Sequence, residues 1–246
     1  MPGGIYTALS GAIATQRRLD VLSHNLANVN SAGFKSETMV FREIMATGGD
    51  GKQDKSFVAP AGISVSHKNG ALMASENPLD CAIEGRGFFA VKTPAGERLT
   101  RNGAFRLSSD GTLVNSAGHQ VQTEDGKPIK VIDPGAKISI GTDGTVRTGE
   151  EILGKLKLVY AKNPEYLGRQ EGQYFVPNAR SGIMPSGSEN VNVSVLAGQL
   201  ESANINAVTG MTDLITVQRH FELTTKAIQV YEQIDSLAAR EIGKAV

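Results

Sequence analysis

The chain has 246 residues, and its 25 Lys and Arg side chains balance 25 Asp and Glu side chains. This length allows one large domain or two small ones with a substantial core. Because the net charge is zero and no basic block occurs, the counterion release that drives nucleic-acid binding has no source, so we expect no nucleic-acid partner. The sequence also lacks a long apolar run and a charged-then-apolar start, so we expect neither a membrane span nor a cleavable export signal.

The first part of the chain is typical of a long helix, because neither Gly nor Pro occurs between Gly11 and Gly33. Apolar residues recur there three and four positions apart, which is the repeat of a coiled-coil seam. Leu9 and Ile13 widen this stripe. Its members are Ile5, Ala8, Ala12, Thr15, Leu19, Leu22, Leu26 and Val29.

The middle of the chain changes character twice. Residues 36–78 include a Gly-rich run from Gly48 to Gly51 and a polar stretch after it, which predicts an exposed loop or an extended arm. From residue 79 onward, short β-type runs alternate with turn signals such as Asp110-Gly111 and Asp143-Gly144. Such pairs supply the positive φ of tight turns, so this part predicts a compact antiparallel β-rich domain.

The last part of the chain again predicts a long helix, because Gly and Pro are absent between Gly210 and Gly243. Its apolar residues lie three, four or seven positions apart, as on one face of a helix. With the first stripe, this pattern predicts an α+β fold, in which long N- and C-terminal helices form a coiled-coil axial domain and an all-β domain is inserted between them. The predicted parts are an N-terminal axial helix at 1–35, an extended arm or loop at 36–78, a β-rich domain at 79–197 and a C-terminal axial helix at 198–246.

Asparagine residues mark both places where a predicted helix meets the rest of the chain. Asn25, Asn28 and Asn30 lie at the end of the first helix, and Asn204 and Asn206 precede the last one. One interpretation is capping, because Asn accepts helix-end hydrogen bonds and tolerates left-handed backbone. The other is that the amides fix the register between packed helices. The residue pattern leaves both open.

No group of residues predicts a catalytic, cofactor or metal site. The run Gly85-Arg86-Gly87-Phe88-Phe89-Ala90 has the spacing of a dinucleotide-binding turn, but a strand and Pro94 follow where that site needs a helix. The four scattered His residues and the single Cys81 form no ligand cluster. Cys81 is therefore interpreted as a small buried hydrophobe, and we expect no enzyme activity, no cofactor and no metal.

Several runs of this sequence resemble the signature segments of bacterial flagellar rod and hook proteins. They are Asn25-Leu26-Ala27-Asn28-Val29-Asn30-Ser31-Ala32-Gly33-Phe34-Lys35, the run from Asn77 to Phe89, Thr100-Arg101-Asn102-Gly103-Ala104-Phe105, the run from Leu200 to Val208, and Gln218-Arg219-His220-Phe221-Glu222. The resemblance covers nearly the whole chain and is weakest over residues 45–75 and 145–190. Within the family, the chain is most similar to the proximal rod proteins, with the distal rod proteins as the close alternative.

The resemblance implies a structural subunit of the flagellar basal-body rod. Proteins of this family are exported unfolded through the flagellar type III apparatus, so we expect the chain in the basal body, in the periplasmic space. Its expected partners are other copies of itself, homologous axial proteins and the export apparatus. The alternatives are another hook or basal-body axial protein and, in a different class, a β-domain binding module on a coiled-coil stalk.

The resemblance also implies that the terminal helices form the axial assembly. The helix stripes and the Asn residues beside them then become the expected assembly interface. Its expected residues are Ile5, Leu9, Leu19, Leu22, Asn25, Leu26, Asn28, Val29, Asn204, Asn206, Met211, Leu214, Phe221, Ile228, Tyr231 and Ile234.

Overall fold

The computed structural model describes residues 2–46, 55–131, 137–170, 173–185 and 193–244. The chain divides into two compact units. The helical unit takes its residues from Met1–Ala27, Glu37–Ser66 and Asn206–Val246, and the β unit takes its residues from Asn28–Ser36 and His67–Ile205. The chain therefore passes between the units four times, after residues 27, 36, 66 and 205.

The helical unit contains both helices and one β-hairpin. Helix α1 spans Pro2–Ala27, and helix α2 spans Ala207–Lys244. Strands β1 (Glu37–Ala46) and β2 (Lys55–Val65) pair antiparallel, with a register shift between Val40 and Phe41. Helix α1 contacts α2 and both strands, so its apolar side chains are divided between two kinds of neighbour.

The prediction of a coiled-coil axial domain is wrong. The described residues form two helices, one near each end, and are otherwise mostly β-strands. Ala12 and Ala14 are both buried although they lie about 200° apart around α1, so α1 is covered on two sides and not along one seam. Four apolar residues of the expected assembly interface are exposed: Leu9, Met211, Tyr231 and Ile234. A three-and-four repeat predicts an apolar stripe on a helix, but it does not determine which element covers the stripe.

The region predicted as an extended arm contains the hairpin. Val40, Phe41 and Ile63 are exposed apolar residues on its two strands, so the described part of the hairpin contributes little core of its own. The Gly-rich run at 48–51 lies outside the described residues.

The β unit consists of short antiparallel strands and one 3-10 helix, Pro164–Tyr166. The strands are β3 (Leu72–Ala74), β4 (Cys81–Glu84), β5 (Phe88–Thr93), β6 (Gly96–Thr100), β7 (Phe105–Leu107), β8 (Leu113–Asn115), β9 (Gln120–Val121), β10 (Ile138–Ile140), β11 (Thr145–Thr148), β12 (Glu151–Lys155), β13 (Leu158–Ala161), β14 (Gly168–Gln170), β15 (Tyr174–Val176), β16 (Ile183–Pro185), β17 (Ser194–Ala197) and β18 (Gln199–Glu201). As the sequence predicted, Gly111 and Gly144 adopt positive φ in their turns.

The strand order brings the two ends of the β unit together. The largest sheet has the order β14-β15-β6-β5-β9-β8-β7, and β13 joins it through β5 and also pairs with β16. Strands β10, β11 and β12 form a separate three-stranded sheet. The early strands β3 and β4 pair with the late strands β18 and β17. This pairing places the segment after residue 198 beside the segment before residue 75.

The core of the β unit is apolar and aromatic. The rings of Phe89 and Phe105 pack edge to face with their centroids 5.0 Å apart, the geometry that aromatic quadrupoles favour. Cys81 is fully buried among these residues, and burial raises the pKa of its thiol to about 12. Phe88 begins strand β5 directly after Gly87, so the Gly-x-Gly run opens a strand and not the helix that a dinucleotide site needs.

Candidate functional site

The residues of the expected assembly interface fall into three groups. Asn25 is buried, and Leu9, Asn206, Met211, Tyr231 and Ile234 are exposed. The others are partly buried: Ile5, Leu19, Leu22, Leu26, Asn28, Val29, Asn204, Leu214, Phe221 and Ile228. Asn28, Val29 and Asn204 belong to the β unit, and the other residues belong to the helical unit.

Helix α2 changes along its length. Residues with reduced exposure recur three and four positions apart from its start, at Ala207, Gly210, Leu214, Val217, Phe221, Thr224 and Ile228. From Gln229 to Leu237, every side chain is exposed, including Val230, Tyr231, Ile234 and Leu237. The second half of α2 therefore presents a row of large apolar side chains to solvent.

Two asparagines make local bonds inside the helical unit. The Asn25 amide donates to the Glu37 carbonyl at 2.7 Å and accepts from the Glu37 N–H at 2.8 Å, so it acts as a strand-like partner for the first residue of β1. Asn206 precedes α2, and its Oδ1 accepts from the N–H groups of Val208 and Thr209. That is the geometry of a helix N-cap.

The β unit contains a buried ionic cluster made of Lys35, Arg101 and Glu201. Their side chains are 1%, 3% and 1% exposed. Lys35 Nζ donates to Glu201 Oε1 at 2.6 Å, and Arg101 Nη1 donates to Oε2 at 3.3 Å. Burial lowers the pKa of the Lys35 ammonium, and the bond to Glu201 opposes that shift. One carboxylate thus balances two buried cations.

Carbonyl groups accept further hydrogen bonds from both cations, whereas Arg101 Nε is buried without a hydrogen-bond partner. Lys35 Nζ also donates to the Lys68 carbonyl at 2.7 Å. Arg101 donates to the carbonyls of Ile83 and Gly85 and lies over the Phe88 ring, 5.3 Å from its centroid. These bonds offset part of the cost of burying the two charges.

Residues on both sides of Lys35 are also held by the β unit. The Gly33 N–H donates to the Glu201 carbonyl at 2.6 Å. Phe34 is fully buried, and the Arg169 guanidinium lies 4.6 Å from its ring centroid. Asn204 accepts from the Ser36 N–H at 2.7 Å. The segment Asn28–Ser36 is therefore held against the rest of the β unit at four successive residues.

No local pattern in the sequence predicts this cluster. Lys35 and Glu201 are 166 residues apart, and Arg101 and Glu201 are 100 apart, so no local spacing connects them. A signal was nevertheless present, because each of the three lies inside one of the runs that carried the family resemblance. A charged residue inside such a run is a candidate for a buried partner elsewhere in the chain.

His67 lies beside this cluster. Its ring packs against Phe88 and Phe175, with centroid distances of 6.2 and 5.6 Å. Burial lowers the pKa of His67 below its ordinary value of 6.5, and the positive charges of Lys35 and Arg101 lower it further. The Pro164 carbonyl and Glu165 act in the opposite direction without reversing the shift.

This shift predicts a pH-dependent stability of the chain. The folded protein binds a proton at His67 more weakly than the unfolded chain, so the stabilisation is complete above pH 6.5 and is lost as pH falls through the lowered pKa. We expect His67→Gln to lose less free energy of unfolding on acidification than the wild type does. Urea unfolding at a series of pH values measures both slopes. Equal slopes would show that His67 is not the titrating group.

The site has the character of a structural junction. Within the described ranges, no three His, Cys, Asp or Glu side chains gather as metal ligands. In the same part of the chain, no helix is long and apolar enough to cross a membrane. What the arrangement does chemically is to hold distant parts of the chain together through buried charge.

Three family models match this chain. The model described as "Flagella basal body rod protein" matches residues 5–35, and "Flagellar hook protein FlgE/F/G D1 domain" matches residues 82–148. The model "Flagellar basal body rod FlgEFG protein C-terminal" matches residues 196–241. The three matches contain most of α1, part of the β unit and most of α2.

Full-length relatives give the same result. The chain is 33% identical to "Flagellar basal-body rod protein FlgF" of Mesorhizobium japonicum over 248 residues, which is 99% of each chain. It is 33% identical to the FlgF of Rhizobium meliloti over 244 residues, again 99% of each chain. To "Flagellar basal-body rod protein FlgG" of Bacillus subtilis it is 28% identical over 251 residues, which cover 94% of this chain and 95% of the relative.

Proposed function

We infer the role of this chain from its family, because it belongs to the flagellar basal-body rod proteins of bacteria. It is a structural subunit of the basal-body rod and is located in the flagellar basal body. The family resemblance found in the sequence is thereby confirmed, and a rod protein implies assembly with homologous rod proteins. A structural family also implies a role other than catalysis.

We propose that the subunit is added to the rod axially, through its terminal helices. The observation that supports this is the exposed apolar row on the second half of α2, at Val230, Tyr231, Ile234 and Leu237. Large exposed apolar patches mark interaction sites, and each such side chain contributes about 1.5 to 3 kcal/mol when it is buried. The proposed occupant is a helix of a neighbouring copy or of a homologous rod subunit.

The expected interface residues divide between two roles in this proposal. The apolar members that are exposed, Leu9, Met211, Tyr231 and Ile234, are the ones proposed to contact the neighbouring subunit. The partly buried members of α2 pack inside the helical unit and hold the helix in place. An open-ended rod requires a head-to-tail association, in which two different surfaces of the subunit meet.

We further propose the proximal rather than the distal rod position, in the periplasmic space after type III export. The FlgF proteins of Mesorhizobium japonicum and Rhizobium meliloti support this position, at 33% identity against 28% for the FlgG of Bacillus subtilis. The partners proposed for this route are the export apparatus and the adjoining rod proteins. The four-part division into 1–35, 36–78, 79–197 and 198–246 stays a prediction.

A single charge on the exposed row of α2 tests the axial proposal. Ile234 is 48% exposed, so Ile234→Glu is expected to leave the unfolding temperature of the monomer unchanged. In the rod, the new carboxylate would lie in an apolar contact, which costs about 2 kcal/mol or more and weakens association about 30-fold. We expect loss of motility and of completed rods in a strain whose only copy of the gene carries this change.

Gln233→Glu is the matched control for this experiment. It adds the same charge at the neighbouring exposed position of α2, about 100° around the helix from Ile234. We expect it to swim normally and to yield normal basal bodies on purification. Normal rods from the Ile234→Glu strain would exclude this face from the assembly.

A further inference from the structure

Four chain crossings lead into and out of the β unit. The segment Asn28–Ser36 carries two of them, one at each end, His67 begins the third, and Ile205 ends at the fourth. Near these crossings, the three segments that carry them lie side by side inside the β unit. Their contacts are polar and converge on two side chains, Glu201 and Asn204.

Glu201 lies in the last of these segments and contacts the other two. Its Oε1 accepts from Lys35 Nζ at 2.6 Å and from the Gly70 N–H at 2.8 Å, while its backbone carbonyl accepts from Gly33. Asn204 repeats this connection, because its Oδ1 accepts from the Ser36 N–H and its Nδ2 donates to the Lys68 carbonyl at 3.0 Å. Two residues of the last segment thus each bind the other two segments.

A buried charge is an expensive way to hold three segments together. Apolar side chains of similar volume generally stabilise a fold as well as an ion pair does or better. The cluster differs from an apolar contact in how it responds when one segment shifts its register. If the segment of Lys35 slips by a single residue, Lys35 is left buried without its carboxylate, and if the segment of Glu201 slips, both cations lose theirs. Apolar side chains re-pack at small cost. The arrangement therefore selects one register.

We propose that Lys35 and Glu201, with Asn204, form a register lock that fixes the points at which the chain leaves the β unit. Lys35 and Glu201 are positioning residues in this view. Their effect on rod assembly, which rests on the proposed function above, is to present both terminal helices from defined positions. The lock itself is a property of the single chain and is tested without assembly.

Hydrogen exchange on the full-length monomer tests the lock. In Lys35→Met, which keeps the length of the side chain and removes its charge, we expect the amides of Gly33, Ser36 and Gly70 to exchange about 100-fold faster or more. The amide of Leu113, bonded to the Ile129 carbonyl within the core, is expected to keep its wild-type rate. Equal acceleration at Leu113 and Gly33, or unchanged exchange at Gly33, would overturn the proposal.

Two further variants complete the experiment. Lys157→Met is the matched control, because it removes an ion pair of 2.8 Å to Glu97 whose partners are 31% and 36% exposed; we expect no change at Gly33. Asn204→Ala carries no charge change and is expected to accelerate Ser36 and not Leu113. If Lys35→Met does not fold, Asn204→Ala tests the same segment. An unchanged exchange rate of the Ser36 amide would then refute the lock.

Motility separates the lock from the axial proposal. We expect Lys35→Met to abolish swimming although its α2 face is intact, and Ile234→Glu to abolish it with wild-type exchange at Gly33. If Lys35→Met loses protection at Gly33 but swims normally, the lock has no role in assembly and that part of the proposal is wrong. If Ile234→Glu swims normally and Lys35→Met does not, the axial proposal fails and the lock stands.

Discussion

Replacement of Gly33 by Ala is expected to lower the free energy of unfolding by about 2 to 5 kcal/mol. Gly33 has φ of 68°, a conformation that costs other residues about 1 to 2 kcal/mol. A Cβ at this position would also lie 2.4 Å from the backbone carbonyl carbon of Arg101, and such overpacking costs about 1 to 3 kcal/mol more. Urea unfolding followed by circular dichroism measures the loss.

Gly118→Ala separates these two contributions. Gly118 has φ of 84°, but a Cβ there would meet no atom within 4 Å among the described residues. We expect a loss of about 1 to 2 kcal/mol from the backbone conformation alone. Equal losses at the two positions would show that the segment Asn28–Ser36 yields without strain and is not tightly docked on the β unit.

Glu201→Gln is expected to lower the free energy of unfolding by about 3 to 5 kcal/mol, because it leaves two buried cations without a counter-charge. The amide keeps the shape of the carboxylate, so the loss measures charge and hydrogen bonding and not a cavity. The same unfolding experiment gives the value. The hydrogen-exchange rates of the Gly33 and Gly70 amides are expected to increase in the same variant.

Glu97→Gln is the control for this substitution. Glu97 pairs with Lys157 at 2.8 Å, but both side chains are about a third exposed, and such pairs contribute about 0 to 1 kcal/mol. We expect a loss within that range. A Glu201→Gln loss no larger than the Glu97→Gln loss would mean that water reaches the cluster in solution.

The sequence was sufficient for the elements with strong local signals. Two long helices follow from the absence of Gly and Pro and from the apolar repeat, and the Asp-Gly pairs mark turns where glycine adopts positive φ. These features depend on residues a few positions apart. The elements that pack against the helices are not determined by such nearby residues. For this reason the sequence predicted a coiled coil, whereas the structure has a helical unit that includes a β-hairpin.

The hairpin itself had no clear local signal. Strand β1 contains Met39, Val40 and Phe41 in succession, whereas a half-buried strand shows alternating apolar and polar residues. Val40 and Phe41 are both exposed, and the register shift of the ladder lies between them. A strand that buries neither face strongly carries no period from which it can be recognised.

The buried ionic cluster lay beyond sequence reasoning for a different reason. Lys35, Arg101 and Glu201 come from three distant parts of the chain, and charged residues are usually exposed. Only the tertiary fold shows that they are buried together. The same holds for Asn204, whose amide was interpreted as a cap or an inter-subunit contact and bonds to Ser36 and Lys68 within the β unit.

The pairing of first strands with last strands has a consequence for the kinetics of folding. Strands β3 and β4 pair with β18 and β17, so the contacts that close the β unit join residues more than 100 positions apart. Closing such long loops is slow, since their entropy is lost before the contacts form. A chain delivered from either end must therefore wait for its last third before the β unit closes, although pairs of neighbouring strands such as β5 and β6 can form earlier.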